Sequence, residues 1–118
     1  MSEVSVTLFE GAPAGVKVVG LIGEMDEPSL DVIRPKLEPV LNDATLQYVV
    51  FDLKDLSYIN SKGIGYLVSV HTHLSKLGRR LFLCAAQEAV MDVINLVGLT
   101  AIIPHYEKLE EALGAAQK

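Results

Sequence analysis

The chain has 118 residues, half of them apolar, with no tryptophan, one cysteine and a formal net charge of -5. That length and aliphatic content suit one domain whose core needs neither disulfides nor metal, and they exclude a disordered chain. No group of cations is larger than the pair Arg79-Arg80, so neither counterion release from nucleic acid nor attraction to an anionic membrane surface has a footing.

Val4, Val6 and Leu8 alternate with small or polar residues, the period of a half-buried first strand. A turn cluster, Gly11-Ala-Pro-Ala-Gly15, leads into a nearly continuous apolar run from Val16 to Ile22. Two strands so joined form an antiparallel hairpin. Next, Gly23-Glu-Met-Asp-Glu27 leads to Pro28, a first-turn proline, and Leu30, Ile33, Leu37 and Leu41 recur at helical spacing. Pro35 and Pro39 fall inside that pattern, and because each removes a backbone donor, a kink or break is expected there.

Tyr48 to Leu53 reads as a buried third strand. A helix opens near Ser61, with Ile64, Leu67, Val68, His71 and Leu74 on its inner face and Gly78 as its stop. Ser61 stands where the helix cap is expected. Leu81 to Cys84 is a fourth strand, and Val90, Val93, Ile94 and Val97 mark a helix ended by Gly98. Ala101 to Ile103 reads as a short fifth strand before Pro104. Glu107 to Ala116 is a last helix with Leu109 and Leu113 inward and its acids early. This order predicts a single α/β domain: a mixed, mostly parallel sheet with one antiparallel edge pair and helices packed on it.

The N-terminus, Met1-Ser-Glu-Val-Ser-Val-Thr7, lacks a basic region followed by an apolar run, so no signal peptide is expected. No segment has the length of a membrane span. A soluble cytoplasmic protein follows as the expectation, and Cys84, alone in an apolar strand, reads as an inert buried thiol.

Catalytic groupings do not assemble. His71 is ten residues beyond Ser61 on one helix, roughly 15 Å away at 1.5 Å rise per residue, too far to act as its base. Nothing positions His105, and the Gly-x-Ser-x-Gly elbow is missing. His71 and His73, two apart on a helix, point in different directions and cannot share a metal. Gly63 and Gly65 give only part of a dinucleotide fingerprint, and close helix-to-strand packing explains them more simply. Glu107, Glu110 and Glu111 read as a solvated face. No catalytic residue, cofactor or metal ligand is expected.

The most informative stretch is Asp55-Leu-Ser-Tyr-Ile-Asn-Ser-Lys-Gly-Ile-Gly65. It follows a buried strand and opens a helix, whose first N–H groups and positive dipole end suit a phosphate or other anionic contact. Here the residues resemble those of the STAS domain, and within that group the bacterial anti-sigma factor antagonists. Gly23-Glu-Met-Asp26 resembles the family's Gly-x-Leu-Asp. Val49-Val-Phe-Asp-Leu53 with Asp55-Leu-Ser-Tyr-Ile59 resembles its central strand and loop. Asn60-Ser-Lys-Gly-Ile-Gly65 resembles Asp-Ser-Ser/Thr-Gly-Leu-Gly at the regulatory site, and Leu96-Val-Gly-Leu99 with Pro104 resembles its Leu-x-Gly-Leu…Pro stretch.

The resemblance implies a regulatory protein that is not an enzyme and spans the whole chain, residues 1–118, as one STAS domain. It implies that Ser61 accepts a phosphoryl group from an anti-sigma factor that is itself a serine kinase. The unmodified form binds that partner, and a PP2C-type phosphatase resets the modified one. Asp26 and Ser57 on neighbouring loops, with Asn60, Ser61, Lys62 and Gly63, then form the docking surface. Two residues depart from the family pattern: Asn60 stands for the usual Asp, and Lys62 for a Ser or Thr. They give weight to an alternative, a STAS scaffold without a phosphorylation cycle that assembles with other STAS proteins. An accessory subunit of a signalling or transporter assembly, or a module binding an anion at the helix start, are further alternatives.

Overall fold

The computed structural model describes residues 4–9 and 11–117; Met1, Ser2 and Glu3, part of the segment read for a leader, lie outside them. The elements run β1 (Val4–Leu8), β2 (Val16–Met25), α1 (Glu27–Leu41), β3 (Tyr48–Asp52), β4 (Leu56–Ile59), α2 (Ser61–Lys76), β5 (Arg80–Cys84), α3 (Glu88–Val97), β6 (His105–Tyr106) and α4 (Leu109–Ala115). Six strands form one sheet in the order β1-β2-β3-β5-β6, with β4 pairing the far end of β2. β1 is antiparallel to β2, and the β2–β3, β2–β4, β3–β5 and β5–β6 pairs are parallel. The expected architecture is therefore the observed one. No helix among the described residues is long and apolar enough to cross a membrane.

The two faces of the sheet are covered unequally. α1, α2 and α3 bury the larger core, built on Leu21, Phe51, Leu53, Leu83, Ile33, Leu67 and Ile94. Each such side chain contributes about 1.5–3 kcal/mol when withdrawn from water. The opposite face carries a smaller cluster of Val18, Val50, Phe82 and Cys84, covered by Ala112 of α4 and Ala116 at that helix's C-terminal cap. Leu109 and Leu113 of α4 pack only partly against it; the two alanines let the helix lie close. Burial pushes the Cys84 thiol up to about 12, with Asp52 and Glu110 adding to the effect.

Four expectations are corrected. α1 is continuous through Pro35 and Pro39, so the expected break is absent. The prolines are four apart and exposed, which leaves the carbonyls they orphan on the solvent face, within reach of water. Leu56–Ile59, read as loop, is a strand. Ala101–Ile103, read as a strand, is instead the end of a 3-10 turn at Leu99–Ala101 and a bend, and the final pairing falls at His105–Tyr106. On α2 the inner face includes Tyr66 and Val70, whereas Val68 and His71 are only half-buried. α2 does stop at Gly78, which takes φ 73° while Gly78 and Arg79 donate to the carbonyls of Ser75 and Leu74 at 3.1 and 2.9 Å. That pair of bonds closes the helix end.

Candidate functional site

Two helices start side by side at one edge of the sheet. β2 ends at Met25 and β4 at Ile59, and these two residues are partners in the parallel pairing. One residue later each chain reaches a cap, Asp26 for α1 and Asn60 for α2, both in extended conformation. The Asn60 N–H donates to the Met25 carbonyl at 3.2 Å and ties the two starts together.

At the first start, Asp26 Oδ1 accepts from the Ser29 N–H at 3.0 Å while Ser29 Oγ accepts from the Asp26 N–H at 2.8 Å. This reciprocal arrangement satisfies two donors that a helix start leaves open. Its spacing, Asp-x-x-Ser, was legible in the sequence, yet Ser29 escaped attention there. Asp26 thus has a structural duty at the helix start.

At the second start, Asn60 and not Ser61 is the cap. Asn60 Oδ1 accepts from the N–H groups of Lys62 and Gly63 at 3.0 and 3.1 Å, and its carbonyl takes the Ile64 N–H at 2.9 Å. Asn serves as well as Ser in this role, which moves Ser61 one place into the helix. Ser61 is exposed, and its hydroxyl has no hydrogen-bond partner among the described residues. The first turn of α2 holds no acidic residue, and exposed Lys62 adds positive charge beside the dipole's positive end.

Gly63 is buried under this start. A Cβ built there would meet Ile59 Cγ1 and the Met25 carbonyl oxygen at 2.7 Å and Met25 Cγ at 3.0 Å. Its bare backbone lets α2 begin directly above the ends of β2 and β4. Gly65 has nothing within 4 Å of an added Cβ, so the packing reading holds for the first glycine and not for the second.

Ser57 lies further back on β4. The register jumps from Gly23↔Leu56 to Glu24↔Tyr58, so Ser57 is the extra residue of a bulge. Its hydroxyl donates to the Gly23 carbonyl at 3.0 Å, and Gly23 takes φ 104° to fit. The structure therefore gathers Asp26, Asn60, Ser61, Lys62 and Gly63 at the paired strand ends, with exposed Ser57 behind them. Tyr58, 47% exposed beside the site, is an aromatic that sequence reading passed over. Its exposure comes from the same bulge, which no periodicity foretells.

The histidines stand apart. His71 is half-buried along α2, and His105 is in β6, where its Nε2 accepts from the Ala86 N–H at 3.1 Å. Burial lowers the His105 pKa, against an opposing pull from Glu107.

Residues 12–112 match the family model described as STAS domain. The Bacillus subtilis (strain 168) protein named anti-sigma-B factor antagonist is 33% identical over 92 residues, covering 78% of this chain and 83% of that one. The crystal structure of an anti-sigma factor antagonist from Mycobacterium paratuberculosis superposes with a TM-score of 0.83 at 27% identity, covering 97% of this chain and 96% of the other. SpoIIAA, an anti-sigma factor antagonist solved in its unphosphorylated form, shares the fold with a TM-score of 0.78 at 22% identity, covering 96% of each chain. SpoIIAA, a Bacillus cell fate determinant, in its phosphorylated form gives a TM-score of 0.70 at 22% identity, covering 94% of this chain and 98% of that one. The chain belongs to the STAS domain family and, within it, groups with the bacterial anti-sigma factor antagonists.

Proposed function

We propose that this protein is a cytoplasmic anti-sigma factor antagonist, a regulatory binding module and not an enzyme, switched at Ser61, and that the whole chain is one STAS domain. Unmodified, it docks an anti-sigma factor through the surface around the start of α2. That partner is a serine kinase whose phosphorylation of Ser61 ends the complex, and a PP2C-type phosphatase restores it. The observation that carries this reading is the exposed Ser61 hydroxyl, without a partner among the described residues, in the first turn of a helix that has no acid there.

The physics supports a switch that spares the fold. A phosphoryl group adds about -1.5 to -2 charge, and the dipole of α2 together with Lys62 stabilises it in place. Asn60 keeps its two capping bonds without setting a carboxylate next to the acceptor. On the docking surface the same group is bulky, hydrated and close to Asp26, so a partner that fits the bare hydroxyl is displaced. Asp26, Ser57, Asn60, Lys62 and Gly63 shape that surface, Gly63 through its backbone alone.

The test is binding of the anti-sigma factor recovered with the protein from its host, measured for wild type, Ser61→Ala and Ser61→Asp. Ser61→Ala should bind like wild type and resist phosphorylation. Ser61→Asp should bind about a hundredfold to a thousandfold more weakly, a loss of about 3–4 kcal/mol. Equal affinity for all three refutes the switch. A second reading rests on Asn60 and Lys62, the two departures from the family pattern. It is a scaffold that assembles with other STAS proteins, or an accessory subunit of a larger assembly, with no phosphorylation cycle. Intact mass with site mapping across growth conditions separates the two: a conditional phosphate on Ser61 supports the switch, and a constant unmodified complex supports the scaffold.

A further inference from the structure

On the sheet face that carries α4, one residue from each of five strands forms a row: Thr7, Gly20, Asp52, Cys84 and Tyr106 are successive partners across the sheet. α4 covers the Cys84 and Tyr106 end. At the other end Gly20 has no side chain, and the gap it leaves opens a cavity of about 210 Å³ lined by Thr7, Phe9, Gly20, Asp52, Lys54 and Asp55 among others. That is the space of roughly seven waters at 30 Å³ each.

Asp52 is the unusual group. It is 3% exposed and, with Ser29, one of two buried polar side chains among the described residues. Its Oδ1 accepts from the Lys54 N–H at 3.1 Å. The second oxygen makes no hydrogen bond among the described residues, and no described side-chain oxygen that is sealed from solvent lacks a partner. This oxygen therefore opens into the cavity. Water can meet it there, but a charged donor on a carboxylate otherwise enclosed by protein forms the stronger, charge-assisted bond.

We propose that the cavity binds a small organic cation, a guanidinium or alkylammonium group, on the free oxygen of Asp52. Asp55 adds a second acid to the lining against the single base Lys54, so the lining carries more acidic than basic side chains. The Thr7 hydroxyl offers a further acceptor, and the Phe9 ring supplies an aromatic wall of the kind that favours cations. Gly20 is what keeps the floor open. A Cβ there would stand 3.4 Å from Phe9 Cζ and 3.6 Å from Thr7 Cβ, so a side chain fits the strand but takes the ligand's space.

Amide spectra of the whole ¹⁵N-labelled protein, titrated with butylguanidinium and with its neutral isostere butylurea, test this. Saturable shifts at Thr7, Gly20 and Asp52 are expected with butylguanidinium, with butylurea about tenfold weaker or worse, the scale of a lost charge-assisted bond. Asp52→Asn keeps an acceptor for the Lys54 N–H and removes the charge, and Gly20→Val fills the space; each should abolish saturation. No saturable shift in wild type, an equal response to butylurea, or unchanged binding in Asp52→Asn overturns the proposal. Should a variant fail to fold, the charged-against-neutral comparison in wild type decides alone. Tighter binding of N-acetylarginine amide than of butylguanidinium identifies the ligand as a partner's arginine side chain, and the reverse order identifies a free molecule.

Discussion

Replacing Gly63 and Gly65 by alanine, one at a time, separates packing from helix propensity within a single turn. Alanine in a helix gains about 1 kcal/mol over glycine. At Gly65 nothing lies within 4 Å of the new methyl, so Gly65→Ala should stabilise the domain by about 0.5–1 kcal/mol. At Gly63 the methyl would sit 2.7 Å from both Ile59 Cγ1 and the Met25 carbonyl oxygen. That oxygen is backbone and also receives the Asn60 N–H at 3.2 Å, so it cannot step aside as a side-chain tip would. Overpacking of this kind costs about 1–3 kcal/mol, and relief requires α2 to lift from the ends of β2 and β4. Gly63→Ala should therefore be destabilised by up to about 2 kcal/mol net after the propensity gain. The two variants then differ by about 0.5–3 kcal/mol, or on the order of 2–12 °C in Tm for a domain of this size. Urea unfolding followed by circular dichroism gives both values on one scale. Equal stability of the two variants would falsify the close approach of α2 to Met25. Partner binding provides a second readout: lifting α2 moves Asn60 and Ser61 together, so Gly63→Ala should weaken docking while Gly65→Ala leaves the cap where it is.

Three further outcomes follow from the same geometry. Asn60→Ala removes the acceptor for the Lys62 and Gly63 N–H groups and should cost about 1 kcal/mol in urea unfolding; Asn60→Asp keeps the cap and should recover that loss, and a shortfall in the aspartate variant would show that the acceptor alone is not what holds the helix start. His105, whose pKa in the fold lies below its ordinary 6.5 because of burial, binds its proton more readily in the unfolded chain. Its contribution is therefore complete above about pH 6.5 and is lost as pH falls through the folded value; His105→Gln should flatten stability between pH 7.5 and 5.5 relative to wild type, and parallel profiles would remove this histidine from the account. Cys84, with its thiol pushed up to about 12 and fully buried, should resist iodoacetamide at pH 8 until the protein is unfolded in urea, whereas prompt labelling of the native protein, read by mass, would show that β5 opens without global unfolding.

Most of the architecture was legible because its elements carry an uninterrupted period. β3 and β5 are apolar runs, α1 and α2 repeat apolar residues at helical spacing, and Gly78 and Gly98 mark the ends, both with positive φ. What escaped was structure made by pairing over distance. In β4 the apolar residues Leu56 and Ile59 are three apart, since the bulge at Ser57 inserts a residue and breaks the alternation by which a strand is recognised. The end of β2 was lost with it, because Glu24 and Met25 pair with β4 alone, beyond the last β1 partner at Gly23. Ile102 and Ile103 suggested a strand by composition, yet Ile103 only plugs the core. The ladder resumes after Pro104, which has no N–H to give but whose carbonyl accepts from Leu83 at 2.9 Å.

The cap shows how a one-residue displacement alters the chemistry of a site. Asn60 and Ser61 are both good caps, and local propensity does not choose between them. The choice is made by Gly63, the one residue that can stand three places after the cap and over the Met25 carbonyl. With Asn60 as cap, its amide oxygen is committed to two N–H groups and the serine hydroxyl is left uncommitted and exposed. Had Ser61 been the cap, its oxygen would have been engaged by the backbone, and modifying it would have cost the helix its start. Two helix starts tied through Met25 and Asn60 also divide their charges unequally: Asp26 and Glu27 stand at the start of α1, while that of α2 has Lys62 and no acid. An anion arriving at Ser61 meets a helix start without an acid, while the acids of the neighbouring start stand across the Met25–Asn60 tie. On the proposed switch, the first would keep the fold intact when charge is added, and the second would make the added charge felt by a docked partner.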